Sequence, residues 1–155
     1  MKQILIFLVV IFFSSCKPSE KNTLNQKPND IETEIVISDN QIHFQVKNIS
    51  NDTIVLYNPQ RLNIQRFVNN NWEKVRILNC PCGAPCAKPD EKLYLFKGQS
   101  HSISWDKQES WCGNKNENGI PKTIKSLSLS GNYRIIIIYQ LNQADKQTFY
   151  KEFEL

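Results

Sequence analysis

The chain is poor in the residues that most catalytic and nucleotide-binding motifs require. It has two histidines and five glycines in 155 residues. The glycines are scattered and none opens a helix, which excludes a phosphate-cradling loop. No serine stands in a nucleophile-elbow context. His43 and His101 lie in alternating stretches, at outward parity beside Gln45 and Ser102 or Ser104, as solvated strand positions do. Acidic residues are dispersed singly and form no evident acid and base pair. No helical stripe of useful length and no internal repeat is present. No apolar run reaches the roughly twenty residues that span a bilayer. Charge of one sign is also scarce. Nineteen basic and fifteen acidic residues give +4, without the clustered basic stripe of a nucleic-acid binder. These absences point to a non-enzymatic protein with no cofactor and no nucleic-acid partner.

What is present begins at the N-terminus. Lys2 precedes an apolar run over residues 4–13, the length of a signal-peptide core. Phe13, Ser14, Ser15 and Cys16 follow, and then the sequence turns polar at Lys17. This resembles the lipobox of bacterial lipoproteins, with Phe13 where such boxes usually carry Leu. The resemblance implies that residues 1–15 form a signal peptide and that Cys16 becomes the lipidated first residue. The protein is then expected in the cell envelope, anchored by acyl chains, with the outer membrane as its expected site, on the periplasmic or surface face. Removing residues 1–15, which carry only Lys2, leaves 18 basic against 15 acidic residues. Residues 16–30 hold two prolines and one aliphatic side chain. They cannot bury enough apolar area to order themselves and read as a tether.

From residue 31 the pattern has period two. Ile42, Phe44 and Val46 alternate with His43, Gln45 and Lys47, a half-buried strand. Residues 53–57 (TIVLY) are β-branched and aromatic. Residues 62–68 and 72–77 flank Asn69-Asn70-Asn71, which suits a hairpin because Asn tolerates positive φ. Ile103 and Trp105 share one strand face, so Trp105 is a core candidate. Trp72 is expected to pack at a hairpin end. Residues 106–121 read as a long polar loop. Residues 133–141 (YRIIIIYQL) are apolar on both faces, as a covered central strand would be. Residues 146–155 make a final half-buried strand. Residues 31–155 are therefore expected to form one all-β domain, an antiparallel sandwich of about seven to nine strands.

Three motifs sharpen that expectation. NISNDTIVLYNP, LFKGQSHSISWD and LSGNYRIIIIY resemble hairpin, Trp-containing and penultimate strands of small exported bacterial immunoglobulin-like domains. The resemblance implies an immunoglobulin-like β-sandwich and says little of function, because sandwiches host many roles. Asp52-Thr53-Ile54 resembles the O-glycosylation site of some exported bacterial proteins. A turn running into a strand explains the same three residues.

If Cys16 takes lipid, Cys80, Cys82, Cys86 and Cys112 remain. An even set in an exported protein reads as disulfides. Cys80 and Cys82 are poor mutual partners, with Pro81 alone between them. Two pairings stay open: Cys80–Cys86 with Cys82–Cys112, or Cys82–Cys86 with Cys80–Cys112. Either ties the loop over residues 79–90 to the stretch around Trp111. The alternative is a thiolate site for copper or zinc on the same four cysteines, although the paired C-x₂-C spacings of zinc modules are missing. Trp111 is either packing on a disulfide or an exposed anchor for a partner, and with Lys115 it marks a candidate binding surface. The expected role is an envelope binding or scaffolding module that holds an envelope or extracellular protein. A protease inhibitor, using the rigid loop over residues 80–90, is a further alternative.

Overall fold

A computed structural model of the protein describes residues 28–155. The expected signal peptide, lipidated Cys16 and nearly all of the tether lie outside the described residues. Eleven strands and no helix make up the described chain: β1 (Ile31–Ile37), β2 (Ile42–Asn48), β3 (Ile54–Tyr57), β4 (Ile64–Val68), β5 (Asn71–Lys74), β6 (Lys92–Leu95), β7 (Ser100–Trp105), β8 (Gln108–Lys115), β9 (Pro121–Leu127), β10 (Asn132–Leu141) and β11 (Gln147–Glu154). All pairings are antiparallel.

One sheet runs β1-β2-β7, and the larger one runs β5-β4-β10-β3-β6 with β11 added on β10. The alternation in β2 decides which side meets the other sheet. Ile42, Phe44 and Val46 are buried, whereas Lys47 is exposed. Phe44 opposes Ile103 and Ile42 opposes Trp105 across β2 and β7. These side chains meet Ile64, Tyr133 and Ile135 from the larger sheet in one cluster. Ile31, Val46, Ile54, Leu56, Leu95 and Tyr139 form a second cluster beside it. The architecture is a β-sandwich whose core is made by the inward residues of both sheets.

Aromatic contacts fix the first cluster. Trp105, fully buried, lies 5.7 Å from the Tyr133 ring, and Phe153 stacks on Tyr133 at 5.7 Å. The Trp105 indole N–H donates to the Gln108 carbonyl at 2.9 Å. The Tyr133 hydroxyl donates to the carbonyl of Leu129, four residues upstream. That bond ties the start of β10 to the segment just before it. In the second cluster Tyr139 donates to Gln147 Oε1 at 2.6 Å. Burial, and then the charge of Asp30, push the Tyr139 pKa above its ordinary value.

The turn chemistry follows the sequence. Asn69 and Asn70 take positive φ, 49° and 64°, and join β4 to β5. Phe67 and Trp72 face each other across that hairpin at 5.1 Å. Residues 106–121 differ from expectation. Instead of a loop they supply β8 and the start of β9, which pair as a separate two-stranded sheet. Those two strands raise the count from nine, the upper end of the expectation, to eleven. β8 (QESWCGNK) carries few strand-forming residues and no alternating apolar face. Its pairing with β9 is supported by tertiary contacts that no local pattern records.

Asn48 joins the two sheets through hydrogen bonds. It is fully buried at the end of β2. Its amide donates to the Asp52 carbonyl at 2.7 Å and to the Leu95 carbonyl of the larger sheet at 2.8 Å. Its Oδ1 accepts from the Ser50 amide and hydroxyl at 2.9 and 2.8 Å. Replacing Asn48→Ala removes these four bonds, including the buried one to the Leu95 carbonyl, so we expect a loss of about 2–3 kcal/mol. The urea midpoint should fall with an unchanged slope. A midpoint equal to wild type would show that these bonds carry no net stability.

Candidate binding surface at the disulfide-pinned end

The segment leaving β5 carries the chain from the sandwich to the cysteine loop. Val75 is buried and its amide donates to the Ile64 carbonyl at 2.9 Å. Beyond it the segment meets β8. The Ser110 amide donates to the Arg76 carbonyl at 2.7 Å, and the Leu78 amide donates to the Ser110 hydroxyl at the same distance. Ser110 is buried, and its short polar side chain completes a backbone pairing there.

The cysteine loop follows. Cys80 is bonded to Cys86 and Cys82 to Cys112, with Cα separations of 6.2 and 5.6 Å. This is the first of the two pairings left open by the sequence. The Cys82 amide also donates to Thr123 Oγ1 of β9 at 2.8 Å. Gly83 has φ +75°, and a Cβ there would stand 2.6 Å from Ile120 Cγ2. The left-handed conformation favours glycine here, and any larger residue would also have to displace the exposed Ile120 side chain. The loop is thus held to β8 by a covalent bond and to β9 by a hydrogen bond.

With all four sulfurs joined in pairs, no thiolate remains for copper or zinc. Paired in this way, Cys80, Cys82, Cys86 and Cys112 are disulfide sulfurs rather than thiolate ligands. Among the described residues no group of three or more His, Cys, Asp or Glu side chains is placed to hold an ion.

Trp111 faces the segment from β5. It is half-buried and lines a hollow with Arg76, Leu78 and Cys112. The Arg76 guanidinium lies over its ring, 4.3 Å from the centroid. Arg76 also approaches Glu109 Oε2 at 3.7 Å, and Arg66 Nη1 reaches Glu109 Oε1 at 3.3 Å. Glu109 is 15% exposed and Arg66 21%, so that pair is partly desolvated, whereas Arg76 is 61% exposed and its attraction to Glu109 is screened by solvent. Arg76 thus covers one face of the Trp111 ring from an exposed position. Lys115 stands apart. It is exposed beyond a bulge at the end of β8, opposite Pro121. Trp111 belongs to the hollow and Lys115 to the hairpin tip.

Sequence reasoning missed Arg66, Arg76 and Glu109. They lie up to 43 residues apart, and no spacing signals that they meet. It also misplaced His101. His43 is on the outer face of its sheet, 2.8 Å from the Ser104 hydroxyl. His101, by contrast, opposes Val46 on the inward face, and its Nε2 lies 2.9 Å from the Pro59 carbonyl oxygen. Counting back from Trp105 and Ile103 gives that inward parity, so the signal was present.

No protein-family model and no curated protein matches this chain.

The two disulfides close loops of different length, with separations of 30 and 6 residues. Replacing Cys82 and Cys112 by Ser should cost about 3–4 kcal/mol, whereas replacing Cys80 and Cys86 should cost about 2. Urea unfolding of the two double variants checks this. Equal losses, or a larger loss from the short ring, would contradict the assigned roles.

Proposed function

We propose that the protein is a lipid-anchored, non-enzymatic binding module of the bacterial cell envelope. Acylated Cys16 anchors it to the outer membrane, and residues 16–30 tether a domain that holds an envelope or extracellular protein at its pinned end. Several acyl chains on one residue give stable anchoring, since each buried CH₂ contributes about 0.8 kcal/mol. The Tyr133 tie to Leu129 supports an immunoglobulin-like reading of the sandwich. In that architecture, loops at an end of the sandwich serve as binding surfaces on a rigid frame.

The observation that carries the reading is Trp111. A half-buried indole, covered on one face by Arg76 and set beside the Cys82–Cys112 bond, has little freedom to lose on binding. Tryptophan and arginine are also the side chains that dominate interface energetics. Two disulfides, one within the cysteine loop and one from it to β8, suit an oxidising compartment.

Two measurements test this. Radiolabelled palmitate should enter the wild-type protein and fail to enter Cys16→Ser. In crosslinking from native envelopes, a discrete partner should be recovered by wild type and about tenfold less by Trp111→Ala. A partner recovered equally by both would place the contact elsewhere. An unlabelled protein in the cytosol would remove the envelope reading altogether.

A further inference from the structure

The outer face of the larger sheet is interrupted. β4 pairs with β10 at residues 133–135, and β3 pairs with the same edge at residues 139–141. Neither strand pairs with β10 over residues 136–138, where the chain between β3 and β4 swings away. The Ile136 amide donates instead to the Asn63 carbonyl of that connection at 2.8 Å. The interruption leaves a hollow of about 330 Å³ open to solvent, with Ile136 and Ile138 among its lining. Its volume is near the lower bound of small-ligand sites.

The lining is chemically one-sided. Arg61 and Lys74 contribute cations, Asn63 and Asn79 contribute amides, and no carboxylate is among the lining residues. Among the described residues, neither Arg61 nor Lys74 is in an ion pair. Further cations stand on the shoulders. Lys146 and Lys92 lie over the Tyr57 ring at 4.2 and 5.6 Å, and Arg134 lies between Trp72 and Tyr150 at 4.2 and 4.4 Å. Of the acidic residues on these paired strands, Glu152 stands directly opposite Arg134.

We propose that this hollow binds an acidic saccharide, a uronate unit within an extended polysaccharide. A uronate combines three features that the hollow answers separately. Its carboxylate suits the planar fork of Arg61 and the point charge of Lys74. Its hydroxyls suit the amides of Asn63 and Asn79, which offer both donors and an acceptor. The aliphatic face of its ring suits Ile136 and Ile138. The open side lets the polymer continue across the sheet, towards the cations on either shoulder. A nucleic acid fits less well, because base stacking needs free aromatic faces and those of Tyr57 and Trp72 carry cations.

The site lies across residues 74–79 from the Trp111 hollow, since Lys74 and Ile77 line both. It therefore goes beyond the protein contact proposed for the pinned end and does not depend on it. Affinity electrophoresis of the intact domain through gels containing polygalacturonate tests the proposal, with methyl-esterified polygalacturonate and dextran as controls. Migration should be retarded by polygalacturonate alone. Arg61→Gln and Lys74→Gln should each weaken retardation about tenfold, with unchanged circular dichroism, while Trp111→Ala should retain it. No retardation by polygalacturonate, equal retardation by its methyl ester, or wild-type behaviour of both charge variants would overturn the assignment.

Discussion

The structure depends on how β10 is paired. One edge of this ten-residue strand is taken by β11 through Asn132–Tyr139, and the other edge is divided between β4 and β3. Its inward residues Tyr133, Ile135 and Tyr139 are buried in both apolar clusters, so the strand also carries the contact between sheets. Because two short strands share one edge, the connection between them must leave the sheet. The same arrangement that completes the core thus opens the outer face. Ile136 and Ile138, which point away from the core, remain only half-buried beneath that opening.

The disulfides act on a different part of the molecule. Apolar burial accounts for the two large sheets without help from a crosslink. The β8–β9 hairpin has no comparable apolar face, and its attachment rests on Ser110, Thr123 and the Cys82–Cys112 bond. Residues 74–79 connect the two regimes. They start at the end of β5, pass buried Val75, and end just before the first cysteine of the loop. One short segment therefore forms a wall of both hollows, and its position is fixed by the sandwich at one end and by the crosslinked loop at the other.

Much of the sandwich was legible because burial leaves a regular trace. The alternation in β2, the asparagines between β4 and β5, and the doubly apolar run of β10 each identify an element by local chemistry. Trp105 was legible as core for the same reason. The hairpin of β8 and β9 was not, since its strands are polar and no periodicity marks them. The cysteine set was legible, but the choice between two pairings required the fold. The Arg76–Glu109–Arg66 arrangement and the hollow under Arg61 and Lys74 arise where distant segments meet. Their residues look like solvated surface when read singly, which is why the sequence pointed to Trp111 and Lys115 together although only Trp111 faces the hollow.

Burial thus holds the frame of the sandwich, and a crosslink holds the wall that the two hollows share. Hydrogen exchange followed by mass spectrometry compares the oxidised protein with the Cys82→Ser, Cys112→Ser variant and tests the separation most directly. The account predicts faster exchange in residues 74–79 and 108–127, with β10 and β11 as protected as before. Unchanged exchange in residues 74–79, or a uniform loss of protection that includes β10, would contradict it.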